Sequence, residues 1–133
     1  MNYNVRDNSD WESMLKPRLR ERLRYSKNIV FILSTFTKNS RALREEIDYG
    51  INQQRLPIIV IYPEYSTKES LLLNGNLRQE IQNLWGKLPI FRDGLTKVPT
   101  LHTPWRQQLI KESLQNKSFT LAQKDEPGIF FYK

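Results

Sequence analysis

The sequence predicts an α/β fold built on a parallel sheet, because two short apolar segments flank a segment with helical periodicity. Residues 28–33 and 56–62 are rich in β-branched side chains and lack the alternation of a half-exposed strand. Such runs are typical of strands that are covered on both faces of a sheet. Residues 40–53 have helical spacing, so the three segments predict a strand, helix, strand unit.

A further helix is predicted before this unit. Ser9 and Glu12 have the spacing of a capping box, in which the two side chains satisfy backbone N–H groups at a helix start. Apolar residues then recur every four positions, at Trp11, Leu15, Leu19 and Leu23. Pro17 removes a backbone donor within this stripe, so the helix either kinks at Pro17 or effectively starts there.

The second half of the chain carries weaker signals. A loop or short helix is predicted over residues 65–74, and a helix over 77–85 with Leu77, Ile81 and Leu84 facing inward. A short third strand is predicted at 88–91, and a loop at 92–104. A last helix is expected over 105–114, with Trp105, Leu109 and Leu114 inward, and a strand over 128–132. We find no repeat or linker, so residues 1–133 are interpreted as one domain.

Composition narrows the class of protein. A chain of 133 residues with 38% hydrophobic and 11% aromatic content can form one compact core. It contains no cysteine, which excludes disulfides, thiolate metal sites and a cysteine nucleophile. No apolar run approaches the roughly 18 residues that span a bilayer, and no signal peptide opens the chain. A soluble, cytoplasmic protein without membrane contact is therefore expected.

The charge balance is basic, with 21 Lys and Arg against 14 Asp and Glu, for a net charge of +7. Such a balance attracts polyanions, including nucleic acid and phosphate-bearing ligands. Many of the basic residues lie between Lys16 and Lys27, interleaved with Leu19, Glu21 and Leu23 as on the solvated side of an amphipathic helix. This interpretation is favoured over a nucleic-acid interface.

The loop after the first strand is the place where a ligand is expected, because parallel sheets bind ligands beyond the carboxyl ends of their strands. The loop and the following helix start offer hydroxyls and cations, at Ser34, Thr35, Thr37, Lys38, Ser40 and Arg41. Together with free N–H groups at the helix start, this set suits a pyrophosphate. The alternative is that these are ordinary loop and N-cap residues, since no glycine-rich cradle accompanies them.

Two adjacent glutamates on the predicted helix are separated by a helical wheel at about 100° per residue. The apolar stripe comprises Leu43, Ile47, Gly50 and Ile51. Glu45 falls almost opposite this stripe and is expected to face water. Glu46 lies at its edge beside Ala42, where a carboxylate resting on apolar surface has a tuned pKa. The alternative is an ordinary residue at the boundary of the core.

The chain has a single histidine, His102, so a metal site built from several histidines is excluded and no metal is predicted. Residues 100–104 are interpreted as a loop in which the imidazole makes local hydrogen bonds, in preference to a catalytic role. Asp7, Asp10 and Asp93 are interpreted as capping or turn residues, since no spacing brings them together.

Several of these segments resemble TIR domains, and most closely the Thoeris B-type TIR-like proteins of bacterial antiphage defence. The resemblance lies in residues 28–34, 37–40, 42–47 and 56–62, and it extends to 97–102 and 130–133. It covers about Asp7 to the end of the chain. The serine and glutamate element from Ser40 to Glu46 is its most specific part.

The resemblance implies a flavodoxin-like sheet and an enzyme that breaks the nicotinamide–ribose bond of NAD, giving a cyclic ADP-ribose-type messenger for a downstream effector. Glu46 is implied as the catalytic residue, with NAD as the substrate and no separate cofactor. The residues expected to contact NAD are Ser34, Thr37, Ser40, Arg41 and Ala42. Family members often carry Trp where Ala42 stands, on the wall beside the substrate.

Family members normally open with a strand and a helix before the segment that matches Arg6 to Trp11. The sheet is therefore expected to lack that strand and helix, which leaves the strand over residues 29–33 with an unpaired edge. The best candidate to cover this edge is the tail at 128–132, unless its rings pack on a helix. An open edge also favours a homo-oligomer, since TIR-like sites are often completed across subunits.

Two other functions compete with the enzyme. One is a non-catalytic TIR-like scaffold that associates through its sheet edge or helices. The other is a basic nucleic-acid-binding domain, which we consider the weaker alternative. Consumption of NAD separates the enzyme from both, while salt-sensitive binding to DNA or RNA is expected only of the last.

Overall fold

The computed structural model, which describes residues 11–115 and 126–131, has a four-stranded parallel sheet in the order β1, β2, β5, β6 with flanking helices. The strands are β1 (Ile29–Ile32), β2 (Ile58–Tyr62), β3 (Leu72–Leu73), β4 (Asn76–Leu77), β5 (Pro99–Pro104) and β6 (Gly128–Phe131). The helices are α1 (Lys16–Arg24), α2 (Arg41–Asn52), α3 (Lys68–Leu71), α4 (Gln79–Trp85), α5 (Pro89–Gly94) and α6 (Gln107–Gln115). This confirms the predicted flavodoxin-like α/β fold.

Helix α1 follows a single π-helical turn, Trp11–Leu15, and carries Pro17 in its first turn. A proline is tolerated there because the first N–H groups of a helix have no partner within it. Leu19 and Leu23 are buried, which confirms the predicted apolar stripe. The proposed capping residue Ser9 lies outside the described residues.

The predicted strand, helix, strand unit is present as β1, α2 and β2. The two strands pair in parallel with Ile29 opposite Ile58. Gly50 lies where α2 packs on β1, and a side chain at this position would collide with Ile29. The glycine therefore allows the close approach of helix and sheet, although a glycine inside a helix costs about 1 kcal/mol relative to alanine.

Strand β1 is covered on one face only, so the expectation of two covered faces was wrong for this strand. Phe31 is 7% exposed, whereas Val30 and Ile32 on the opposite face are 38% and 49% exposed. Every residue of β2 is buried. The difference follows from position, because β1 is at the edge of the described sheet and β2 lies inside it.

The predicted third strand at residues 88–91 was wrong, because Pro89 begins helix α5. Proline is well suited to the first helical position, and Phe91 then points into the core with no exposed surface. The short apolar run had suggested a strand. Leu88 and Phe91 are buried at the start of a short helix, while Pro89 is exposed and Ile90 is partly buried.

The loop predicted over 92–104 was also wrong at its end, where residues 99–104 form β5 between β2 and β6. All six residues of β5 are buried, including Thr100, His102 and Thr103. Polar side chains and two prolines hid this strand from the hydrophobic pattern. Their burial is tolerated because the polar groups are hydrogen-bonded within the core.

A small antiparallel hairpin of β3 and β4 follows α3. Asn74 and Gly75 form its turn with positive φ angles of 55° and 81°. Asn-Gly is the sequence that such a two-residue turn prefers, because both of its central residues adopt the left-handed region. The dipeptide is the available signal for this hairpin, whose first strand lies within residues 65–74, for which the sequence predicts a loop or short helix.

Helix α6 is present as predicted, but its inward side differs from the prediction. Trp105 and Leu114 are 53% and 44% exposed. Ile110 packs against an apolar cluster on the sheet, and Ser113 is buried with its hydroxyl donating to the carbonyl of Leu109 at 2.7 Å. The sheet-facing side is therefore rotated away from Trp105 and Leu114.

The tail forms a strand, as expected, but pairs with β5 at the sheet edge opposite β1. The proposal that it covers the edge of β1 was therefore wrong. Its two aromatic rings lie on opposite faces of the sheet. Phe131 packs against the main core, and Phe130 packs against the cluster of Ile59, Ile61 and Leu101. Tyr132 lies outside the described residues.

Candidate functional site

The loop after β1, residues 34–39, is ordered by its own hydroxyl groups. The Thr37 hydroxyl oxygen accepts a hydrogen bond from the Ser34 N–H at 2.9 Å. The Ser34 hydroxyl oxygen accepts one from the Phe36 N–H at 3.1 Å. These bonds turn the chain sharply at the carboxyl end of β1. Ser34 and Thr37 thus have structural roles in the loop where the sequence predicted a ligand.

Two residues from other loops clamp Thr35. The Glu64 carboxylate accepts hydrogen bonds from the Thr35 N–H at 2.9 Å and from the Thr35 hydroxyl at 2.8 Å. The Lys87 ammonium donates to the Thr35 carbonyl oxygen. The sequence interpretation missed both residues. Glu64 follows β2 directly, so the rule that places ligands at the carboxyl edge of a sheet was the signal that could have singled it out.

The carboxyl edges of neighbouring strands are also tied together. The loop after β1 is bound to the loop after β2 through Glu64, and the Trp105 N–H after β5 donates to the Tyr65 carbonyl oxygen at 2.7 Å. A surface groove of about 490 Å³ opens beside this last loop. It is lined by Trp105, Gln107, Ile110, Lys111 and Leu114.

Helix α2 begins with Ser40 as its N-cap, whose hydroxyl oxygen accepts from the Leu43 N–H at 3.2 Å. Arg41 is exposed in the first turn and lines a shallow pocket of about 280 Å³. The pocket is formed by Arg41, Arg44, Glu45, Asp48 and Ile90. Ala42 is buried in the main core, so little of its methyl group is left to contact a ligand.

Glu45 does not face water freely as the wheel predicted. Its side chain is 14% exposed and accepts from the Arg20 Nε–H at 2.6 Å. The Arg20 guanidinium also lies over the Tyr49 ring, with 5.0 Å from Cζ to the ring centroid. The wheel failed here because it contains only α2, whereas α1 packs against that side of the helix. Glu45 therefore links the two helices.

Glu46 is half-buried, as its place at the edge of the apolar stripe predicted. Its side chain is 23% exposed, and the Arg22 Nη2 lies 4.0 Å from its Oε2. Burial raises the pKa of the Glu46 carboxyl above its ordinary value, and the Arg22 guanidinium acts in the opposite direction. A carboxylate with these two opposing influences is a candidate for chemistry.

The structure brings part of the predicted set together. Ser34, Thr37, Ser40 and Arg41 belong to one continuous loop and helix start. Glu46 lies further along α2, four residues after Ala42 and so on the same side of the helix. Its ion-pair partner Arg22 belongs to α1 and not to the loop.

His102 lies on a buried strand and not in a loop. The predicted local hydrogen bond is present with Thr100, whereas the second partner, Tyr62, is 40 residues away in the sequence. The His102 Nδ1 is 2.6 Å from the Tyr62 hydroxyl, and its Nε2 is 2.9 Å from the Thr100 hydroxyl. The Thr100 hydroxyl donates to the Gly128 carbonyl oxygen at 3.0 Å, and the Trp85 Nε1–H donates to the Tyr62 hydroxyl oxygen at 2.9 Å.

These bonds assign the imidazole tautomer. Because the Thr100 hydroxyl uses its hydrogen on Gly128, it must accept from Nε2–H of His102. Nδ1 then accepts from the Tyr62 hydroxyl, and the ring is neutral. Burial lowers the pKa of His102 to about 3, which agrees with a neutral ring. The hydrogen-bond network around His102 therefore connects β2, α4, β5 and β6, and His102 is not placed as an acid or base.

No group of three or more histidine, aspartate or glutamate side chains suited to a metal ion occurs within residues 11–115 and 126–131. In the same residues, no helix is long and apolar enough to cross a membrane. Asp93 is exposed beside Arg92, while Asp7 and Asp10 lie outside the described residues.

A match to a known protein family shows to which family the chain belongs. The family model of the TIR-like domain of the Thoeris protein ThsB matches residues 1–68, which is half of the chain. The chain belongs to this family. The ThsB TIR-like match includes β1, the loop after it, all of α2 and β2. The protein is thus a member of an antiphage-defence TIR family, and its candidate carboxylate lies on the matched part.

Proposed function

We propose that this ThsB-type TIR-like domain binds NAD and cleaves the bond between nicotinamide and ribose, with Glu46 as the catalytic carboxylate. The observation that carries the proposal is the state of Glu46, a half-buried carboxylate with a raised pKa on the part of the chain that matches the family. The helical wheel and the family resemblance had each singled out the same residue.

The chemistry requires a negative charge near the ribose. When the bond between C1′ and the nicotinamide nitrogen breaks, the bonding electrons leave with neutral nicotinamide and the ribose becomes oxocarbenium-like. A carboxylate beside that centre stabilises the developing positive charge. Arg22 favours the ionised form of Glu46 and so opposes the effect of burial. Capture of C1′ by a nucleophile of the same molecule gives a cyclic ADP-ribose-type product.

The remaining predicted contacts are assigned to the substrate phosphates. The start of α2 offers backbone N–H groups, and Arg41 is exposed in its first turn. Such an arrangement favours a pyrophosphate through charge and oriented donors. The hydroxyls of Ser34 and Thr37 support the loop, so their contribution to binding is proposed to be positional.

The cellular role follows from the proposed product. We propose that the chain works in the cytoplasm as part of antiphage signalling, that the released nucleotide diffuses to a downstream effector, and that the protein acts as a homo-oligomer. Nucleic acid is not proposed as a partner, since at least part of the basic charge is used in contacts between helices, as with Arg20 and Glu45.

The test is release of nicotinamide from NAD, measured by chromatography for the wild-type protein and two matched variants. Glu46→Gln is expected to abolish cleavage, because the amide cannot stabilise a positive charge as a carboxylate does. Glu45→Gln removes the neighbouring carboxylate, which also has an arginine partner, and is expected to keep most of the activity. Equal losses in two variants with wild-type circular dichroism would exclude the assignment of Glu46.

A non-catalytic scaffold is the second candidate, and one observation favours it. Val30 and Ile32 expose apolar side chains on β1, whose outer edge has no strand partner among residues 11–115 and 126–131. Such an edge is suited to association. Wild-type protein that binds partners but leaves NAD intact would support the scaffold in place of the enzyme.

A further inference from the structure

Phe36 is an exposed ring on a loop that the structure holds in place. Its side chain is 83% exposed, although it lies between Thr35 and Thr37 in a tightly hydrogen-bonded loop. Loop residues lie on the surface and are more often polar, although a single exposed apolar residue is not unusual there. Here an aromatic ring is presented to solvent by a fixed backbone.

Six hydrogen bonds fix that backbone. The Phe36 N–H donates to the Ser34 hydroxyl oxygen at 3.1 Å. On one side, the Thr35 N–H and hydroxyl both donate to Glu64, and Lys87 donates to the Thr35 carbonyl oxygen. On the other side, the Thr37 hydroxyl bonds both to Ser34 and to the carbonyl oxygen of Ile32. The backbone position of Phe36 is therefore set by β1, the loop after β2, and the junction of α4 and α5.

The place of the ring is the second observation. The loop leaves the carboxyl end of β1 and leads into the N-terminus of α2, with the exposed cations Lys38 and Arg41 after the ring. Ligands of parallel sheets bind at this edge. A flat apolar ring followed by two cations matches a nucleotide, which has a flat base joined to phosphates.

We propose that Phe36 is a stacking residue for an aromatic base of the dinucleotide and so determines affinity for the substrate. This inference rests on the proposed NAD cleavage. Stacking between a base and an aromatic side chain tolerates different bases, because each base presents a flat π face. The backbone that carries the ring is held by hydrogen bonds before binding, so only the side-chain torsions of Phe36 need to be ordered when the base stacks on it.

The first experiment compares steady-state cleavage of NAD by the wild-type protein, Phe36→Ala and Phe36→Trp. Phe36→Ala is expected to raise KM about tenfold, within the usual range for loss of one stacking contact, with kcat changed less than about twofold. Phe36→Trp is expected to restore KM. Leu73→Ala is the matched control, since Leu73 is also an exposed apolar residue but lies on the β3–β4 hairpin.

Binding is measured separately in the Glu46→Gln background, with NAD, AMP and nicotinamide mononucleotide as probes. If adding Phe36→Ala weakens the binding of AMP alone, Phe36 stacks on adenine. If it weakens the binding of nicotinamide mononucleotide alone, Phe36 stacks on nicotinamide. Unchanged KM and unchanged binding in Phe36→Ala overturn the inference while leaving NAD cleavage intact. A fall in kcat alone, or a change in oligomeric state in place of affinity, also overturns it. If the wild-type protein does not cleave NAD, the proposed function itself is refuted, which is a different outcome from failure of the stacking inference.

Discussion

Glu45 and Glu46 are adjacent in the chain, yet the sequence could predict the environment of only one of them. The wheel placed Glu46 correctly because its burial depends on the apolar stripe of its own helix. Glu45 is paired with Arg20, which belongs to α1. No periodicity within α2 contains that information, since the contact depends on how two helices pack. For a side chain at the boundary of the core, the sequence therefore predicts the burial that comes from its own helix, but not the contacts with a neighbouring helix.

The environment of His102 was beyond prediction for the same reason. Its hydrogen-bond partners Tyr62 and Thr100 lie on β2 and β5, and Trp85 of α4 donates in turn to the Tyr62 hydroxyl. A lone histidine between threonines resembles a loop residue in sequence. Its burial is tolerated because both ring nitrogens have partners, which offsets the loss of solvation.

The neutral state of His102 predicts that the protein loses stability in mild acid. The folded state holds the pKa near 3, whereas the ordinary value is 6.5. Below that ordinary value the unfolded chain takes up a proton that the folded chain refuses, so stability is full above it and falls as the pH drops. The slope approaches about 1.4 kcal/mol per pH unit below roughly pH 5.5. Urea unfolding at pH 7.5, 6.5 and 5.5 measures it.

His102→Gln is the control for this titration. The amide keeps hydrogen-bonding capacity but cannot be protonated in this range. We expect it to be less stable at neutral pH and to have a shallower loss between pH 7.5 and 5.5. Tyr62, the titratable neighbour, stays neutral because burial raises its pKa. Parallel curves for the two proteins would assign the acid sensitivity to other groups.

At the scale of elements, the apolar segments were predicted and the polar strand was not. Residues 28–33 and 56–62 follow the pattern of buried strands because their side chains alone favour burial. Strand β5 depends on hydrogen bonds that form only after the sheet is assembled. Helix α5 shows the opposite error, since an apolar run after a proline suited both a strand and a helix start.

Strand β6 illustrates how one element contributes to the core from both faces. Phe131 packs against the main core and Phe130 against the smaller cluster on the opposite face, while Ile129 is 41% exposed. We predict that Phe131→Ala lowers the free energy of unfolding by roughly 1–2 kcal/mol, about half to two-thirds of the value for a fully buried ring. Ile129→Ala should cost clearly less. Chemical denaturation of both variants measures the difference.

Removal of residues 128–133 extends the same prediction. The truncation also removes the hydrogen bond from Thr100 to Gly128 and the parallel ladder on β5. We expect a larger loss than for Phe131→Ala and a lower melting temperature. A truncated protein with the wild-type melting temperature would contradict a structural role for β6. Equal losses of stability in Phe131→Ala and Ile129→Ala would contradict the larger contribution of Phe131.

At the scale of the whole molecule, the sequence predicted a parallel sheet but not which strand lies at which edge. Within the sheet formed by the described residues, β1 lies at an edge, as the resemblance predicted. It did not reveal that the tail pairs on the other side, because two strand-prone segments carry no signal for their relative order. Both edges of β5 are thereby occupied, while β1 keeps one open side among residues 11–115 and 126–131.

The open side of β1 predicts self-association. The Ile29 N–H donates to Pro57 just before β2, and the Leu33 N–H donates to Ile61 of β2. By the alternation of a strand, the N–H groups of Val30 and Ile32 therefore point to the outer edge. The side chains of these two residues are also exposed and apolar, and no charge or proline protects the edge. We expect a concentration-dependent dimer by light scattering.

Replacing Val30 and Ile32 by lysine should shift the dimer to monomer, because a charged edge repels a second strand. The matched double threonine variant keeps the strand preference without charge and should still associate more than the lysine variant. Wild-type protein that stays monomeric at high concentration would exclude pairing through this edge, and the lysine variant distinguishes it from association through other surfaces.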